Sequence, residues 1–443
     1  MVKTFTFPNG FRIVYEIPKA TLPITSIQVF CKVGSIYEAD GIRGAAHVIE
    51  HMCFKGTRKI AKAEHIAETY DEIGAFFNAT TNKNTTIYIV KCHNDFVEKC
   101  MSMLSDMMMN SAFKRNEFEK EKQVVKQETI RLTDNGSDIC RKLLDESLYS
   151  DSSYAHAVDE IDYHKPGLLA YDEVYAMYKS FYRPSNMVAS IVSKLPFSTI
   201  VKLLQKTHFA RSCSPEHPWK YRVDSIVLSP NVPLYNIHKH PGMNTLHMRI
   251  GFRTCSQFSN DKYALDVLQN VVGGYMSSRM FSILRVKHGL TYSSGASATN
   301  YESMGDFTFF AETDSRNILE TNDEKGVLPL IVDMICDLQK HGITPHELQV
   351  SKQNIRGSMA LALENNDSSC YHNGNRVILY NNDEKSIVPY CDIYDTYYHP
   401  ITRRDVNNVI KKYIKKSNVC VCIVSNTTPP LYKVKSICEK ILV

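Results

Sequence analysis

Residues 47–51 read His-Val-Ile-Glu-His, and the chemistry of that pattern depends on its being a helix. Residues four apart on a helix stand one above the other, so His47 and His51 can face one ion, with Glu50 near the same edge. Two imidazoles and a carboxylate within little more than one turn, in the order H-x-x-E-H, point to zinc-dependent hydrolysis. An ordinary polar helix face is the competing reading, and five residues do not separate the two. A catalytic zinc takes three protein groups and leaves a fourth position for water, so the third ligand must come from another element.

A candidate lies downstream. Residues 116–134 read NEFEKEKQVVKQETIRLTD, without Gly or Pro and rich in Glu, Lys and Gln, which predicts a helix. Glu121 and Glu128 are seven residues apart and share a face, with Val124 and Val125 beside them, whereas Glu117 and Glu119 fit solvent. Taken alone, the stretch also fits a surface helix tied by Glu–Lys pairs.

With these residues in place, the chain resembles the inverzincin metallopeptidases of the pitrilysin and mitochondrial processing peptidase group, the β-subunit type in particular. The resemblance implies that His47, His51 and Glu128 bind one Zn2+ per chain, that Glu50 is the catalytic base, and that Glu121 supports the site. The separation of 77 residues between His51 and Glu128 is similar to the family's spacing. Zinc would lower the pKa of a water from about 15.7 toward 7 and polarise the scissile carbonyl. Glu50 would take the water's proton and return it to the leaving amine, while Glu121 would orient a ligand.

A peptide substrate needs its own argument. Residues 74–80, Gly-Ala-Phe-Phe-Asn-Ala-Thr, and 85–90, Thr-Thr-Ile-Tyr-Ile-Val, read as a glycine-led edge strand, a turn and a β-branched strand. An open edge can recruit an extended peptide through main-chain hydrogen bonds, although a plain core hairpin would look the same. The segment resembles the family's GxxxNA substrate strand, which implies substrate binding at Gly74, Phe77, Asn78 and Ala79. Further along, residues 271–295 carry Gly273-Gly274, which lacks the endings of a phosphate or dinucleotide loop. This block resembles the family's second-domain signature, which implies that Arg285 and Tyr292 reach the substrate; both can donate hydrogen bonds to a developing oxyanion. From the residues alone, Arg285 is equally a surface cation and Tyr292 a boundary aromatic.

At 443 residues the chain exceeds one simple core. Four prolines in residues 211–233 mark a linker between α+β domains at 1–210 and 234–443, of which the resemblance implies that the first is catalytic and the second completes the substrate site. Strands followed by paired helical stretches at 95–110 and 326–340 recur in both halves, which suggests duplication without the second metal motif. The resemblance implies two such domains enclosing a polar cavity. Its length matches one half of a pitrilysin-type polypeptide, so a homodimer or a noncatalytic related subunit is the expected partner. The alternative function is a noncatalytic assembly subunit resembling the core proteins of respiratory complex III.

The methionine run 101–109 fits core packing better than a binding face. Thirteen cysteines without a CxxC pair read as reduced thiols rather than a disulfide scaffold. The opening MVKTFTFPNG enters strand-like sequence at once, leaving no room for a signal peptide or presequence, and no run of about 20 apolar residues suggests membrane insertion. Cytoplasmic residence is the default expectation, with a particle-packaged or organellar form as alternatives. A net charge of +5, dispersed along the chain, argues against nucleic acid as partner.

Overall fold

The computed structural model describes residues 2–19, 22–158, 169–212, 234–321, 324–380 and 387–442. They form two compact units, each built on a mixed sheet. The strands of the first are β1 (Val2–Thr6), β2 (Arg12–Glu16), β3 (Ile24–Cys31), β4 (Phe76–Thr81), β5 (Thr86–His93) and β6 (Met187–Val192), in the sheet order β1-β2-β6-β3-β5-β4. Only β2 and β6 are parallel; the other neighbours are antiparallel. Asn9 and Gly10 turn β1 into β2, and Gly10 sits at φ +85°, where a Cβ would be strained. Residues Thr25–Cys31 of β3 and all of β6 are buried, which is why these strands carry apolar residues on both faces. The helix Val97–Met109 sends Met101, Met103, Met107 and Met108 into the interior, the core packing expected of that run.

The second unit has β7 (Leu234–Lys239), β8 (Leu246–Thr254), β9 (Thr291–Asn300), β10 (Gly305–Thr313), a short ribbon of β11 (Glu320–Thr321) and β12 (Glu324–Lys325), and β13 (Val419–Ser425). Its main sheet runs β7-β13-β8-β10-β9, again with one parallel pair, β7 and β13. Strand for strand this repeats β2-β6-β3-β5-β4, so the expected duplication is visible in the topology. Leu246, Ile250, Phe252, Leu268, Phe307, Phe309, Ile331 and Ile423 belong to one core.

The compact units differ from the contiguous ranges 1–210 and 234–443. The first includes Met359–Ile393 and the second includes Ile130–Ala155. Helix Asn366–Tyr380 lies on β2, β3 and β6, and helix Gly136–Leu148 lies on β8 and β13. Nothing local in either stretch states which sheet receives it. The packing does. Gly374 lies against Phe30, whose ring an added Cβ would strike, and Asn373 Nδ2 donates to Glu16 Oε2 at 2.6 Å. In the second unit the bulk is reversed, with Leu144 of the helix filling the space that Gly251 leaves on β8. Phe30 pairs with Val188 and Gly251 with Cys420, so the two contacts occupy corresponding places in the two sheets. From residue 213 onward, the linker expected at 211–233 lies outside the described residues.

Candidate active site

Helix Ala45–Cys53 is anchored by Val48, Ile49 and Met52, all buried, which fixes the edge that carries His47, Glu50 and His51. Glu38 caps its start, accepting the Gly44 and Ala46 backbone N–H groups at 2.7 and 2.8 Å. A carboxylate there satisfies orphan donors and complements the helix dipole. Gly44, at φ +85°, makes the turn that a residue with a Cβ would resist.

Glu128 comes from helix Arg115–Thr133, where Phe118, Glu121 and Val125 are buried. Glu128 is the next step of that stripe. His47 Nε2 and His51 Nε2 lie 3.2 Å apart, and Glu128 Oε2 is 3.7 Å from each. A tetrahedral ion about 2.0–2.2 Å from each donor sets the donors roughly 3.3–3.6 Å apart, so these three side chains fit a zinc ion. Among the described residues they are the group of His, Cys, Asp and Glu whose donor atoms all lie within 4.8 Å of one another.

Behind His51, Glu121 Oε2 is 3.0 Å from Nδ1, and Lys55 Nζ is 2.7 Å from Glu121 Oε1. With the proton on Nδ1, His51 presents the Nε2 lone pair toward Glu128. Burial pushes the Glu121 carboxyl up, but the hydrogen bonds from His51 and Lys55 outweigh it and hold it below the usual carboxylate range. Glu50 behaves differently. It is 8% exposed, and burial raises its carboxyl above the ordinary value, partly offset by the Thr81 hydroxyl, which donates to Oε2 at 2.6 Å, and by the two imidazoles. A carboxylate with raised basicity beside metal donors suits a general base.

Of the predicted substrate residues, Phe77, Asn78 and Ala79 lie on β4, an edge strand paired with β5 through Phe77–Val90, Asn78–Ile89 and Ala79–Tyr88. Gly74 precedes it in an exposed turn at φ +59°. Asn78 Oδ1 accepts the Ala79 N–H at 2.9 Å. The Phe77 ring stacks on Tyr70 at 4.5 Å, so its side chain is committed to packing and only its backbone is offered to a peptide. Arg285 and Tyr292 belong to the second unit. Arg285 lies in a π-helical turn, Phe281–Lys287, and donates to Thr291 O at 2.6 Å; Tyr292, near the start of β9, is 66% exposed.

Three participants escaped sequence reasoning: Glu38, Lys55 and Thr81. Lys55 was detectable as the residue four beyond His51 on the same edge. Thr81 shares a face of β4 with Phe77 and Ala79, yet nothing in the sequence says that this face meets Glu50.

Residues 14–159 match the family described as insulinase, peptidase family M16, and residues 169–355 match the peptidase M16 inactive domain. The uncharacterized zinc protease YmxG of Bacillus subtilis is 30% identical over 393 residues, covering 86% of this chain and 88% of that protein. The chain belongs to peptidase family M16. A protease from Helicobacter pylori shares the M16 fold with a TM-score of 0.84 at 21% identity, over 96% of this chain and 99% of that one. A structure described as a peptidase M16 inactive domain, from Pseudomonas fluorescens, gives 0.84 at 18% identity, over 96% and 98%. In the second half, helix Asp261–Gly273, which follows β8 as Ala45–Cys53 follows β3, contains no histidine. The described cysteines are all free thiols, and no described helix is long and apolar enough to cross a membrane.

Proposed function

We propose that this M16 chain is a zinc-dependent endopeptidase acting on extended peptides or polypeptide segments. The observation that carries the reading is the convergence of His47, His51 and Glu128 donor atoms at 3.2–3.7 Å with a buried Glu50 on the same helix. The three donors hold one zinc per chain, with Glu121 fixing His51. When bound, zinc supplies a Lewis acid that acidifies a water and polarises the scissile carbonyl. Glu50 removes a proton from that water as its oxygen bonds to the carbonyl carbon. The same carboxyl then delivers the proton to the departing amide nitrogen as the C–N bond breaks, leaving a carboxylate and an amine.

The β4 edge around Asn78 and Ala79 is the proposed seat for the substrate backbone, since main-chain pairing tolerates varied side chains. Gly74 frees the approach to it. Arg285 and Tyr292, from the proposed second domain at 234–443, are proposed donors to the substrate carbonyl. A second copy or a noncatalytic related subunit is the proposed partner, and cytoplasm the proposed location. A noncatalytic assembly role would give no use to a Glu50 carboxyl buried at the cost such burial carries.

The test compares wild type, Glu50→Gln and Tyr292→Phe for zinc per chain and for hydrolysis of a mixed peptide library. Glu50→Gln is expected to keep its zinc and lose turnover by roughly 100-fold or more, and Tyr292→Phe to keep zinc with reduced turnover. Equal cleavage by wild type and Glu50→Gln would rule out the assigned base, and equal turnover by Tyr292→Phe would remove that tyrosine.

A further inference from the structure

Thr81 is one hydroxyl with one proton, and its surroundings decide where that proton goes. Glu50 Oε2 lies 2.6 Å away, whereas the neighbouring Thr86 hydroxyl is at 3.4 Å and already donates to Val33 O at 3.0 Å. The short contact to a carboxylate wins, because charge-assisted hydrogen bonds are the stronger ones. We propose that Thr81 is a positioning residue for the reaction, holding Oε2 of Glu50 so that Oε1 is the oxygen that takes and returns the proton.

The segment after β3 holds both sides of this contact. Residues 82–85 turn β4 into β5 directly against Gly34, where an added Cβ would run into Asn82 O and Lys83 O. Ile36 N donates to Lys83 O at 3.2 Å, and Lys83 Nζ donates to His156 O at 3.0 Å, so the turn is tied on two sides. Four residues beyond Gly34, Glu38 caps the helix that bears Glu50. Residues 34–38 therefore act as a jig, fixing the hairpin end that carries Thr81 and the helix end that leads to Glu50. The proposed peptide seat at Asn78 and Ala79 lies on the same strand as Thr81, so substrate backbone and base share one rigid support. Such support is what keeps a proton-transfer geometry within the tolerance catalysis requires.

This rests on the endopeptidase reading, and two readouts separate the claims. Thr81→Val keeps the shape and removes the donor, and Thr81→Ser keeps the donor. With a quenched-fluorescence peptide, Thr81→Val is expected to lose about tenfold in kcat with KM and zinc content unchanged, and Thr81→Ser to recover most of it. Wild-type kcat in Thr81→Val, or equal losses in both variants, would overturn the positioning role. If wild type does not cleave, or Glu50→Gln cleaves equally well, the endopeptidase reading fails. Crystal structures of wild type and Thr81→Val then decide the positioning claim: it predicts a Glu50 carboxylate that leaves its wild-type rotamer in the variant, and an unmoved carboxylate would contradict it.

Discussion

His51 shows how much of this site is made by residues outside the proposed donor set. Its Nδ1 meets Glu121, and Glu121 is held in turn by Lys55, so the ring's orientation is set two residues deep. Glu121→Gln keeps the size but weakens the acceptor and removes the charge facing Lys55. Zinc affinity is then expected to fall about 10–100-fold, read by competition with a chromogenic chelator; an unchanged affinity would reduce Glu121 to a packing residue. The candidate donors were legible because spacing on a helix fixes direction: 47 and 51 are one turn apart, and 118, 121, 125 and 128 form one stripe, whereas the choice of Glu128 over Glu121 as third donor came from the family resemblance. Thr81 was not legible, because its contact with Glu50, 31 residues away in the chain, depends on how a strand and a helix are brought together.

The helices Gly136–Leu148 and Asn366–Tyr380 carry the lesson of the element scale. Neither announces in its sequence that it completes the unit opposite to its half of the chain. Specificity comes from long-range steric and polar fits: Gly374 on Phe30, Leu144 in the space at Gly251, and Arg141 paired with Asp306. That pair is bidentate, at 3.0 and 2.8 Å, with further hydrogen bonds from Tyr149 and Thr308. Burial raises the Asp306 carboxyl, but Arg141's charge and these hydrogen bonds overcome it and leave it below its ordinary value. A depressed carboxyl gives stability that is present above its unfolded pKa of about 3.9 and is lost as pH falls through the folded value. Hydrogen exchange of β8 and β10 amides should therefore speed up as pH falls below about 4, beyond the intrinsic dependence. Asp306→Asn leaves Arg141 with Asp145, 2.8 Å away, as its remaining charged partner and is expected to cost about 1–3 kcal/mol at neutral pH. Unchanged protection in those strands would show that the pair does not hold the helix.

At the scale of the whole molecule, one plan is used twice, and among the described residues the group of His47, His51 and Glu128 occurs in one copy. The strand orders β2-β6-β3-β5-β4 and β7-β13-β8-β10-β9 agree down to their single parallel pair, while the helix equivalent to Ala45–Cys53 lacks histidine. The duplication was visible in the sequence as a repeated order of strands and helices, since each element carries its own periodicity. The exchange of helices between units was invisible, since it is decided by side-chain volumes far apart in the chain. A duplicated scaffold with one proposed metal site makes a count that can be checked. Diffraction from crystals grown with zinc, recorded on both sides of the zinc absorption edge, should give one anomalous peak per chain, bounded by His47 Nε2, His51 Nε2 and the Glu128 carboxylate. A peak elsewhere, or none at that position, would contradict the assignment of this site as the metal centre.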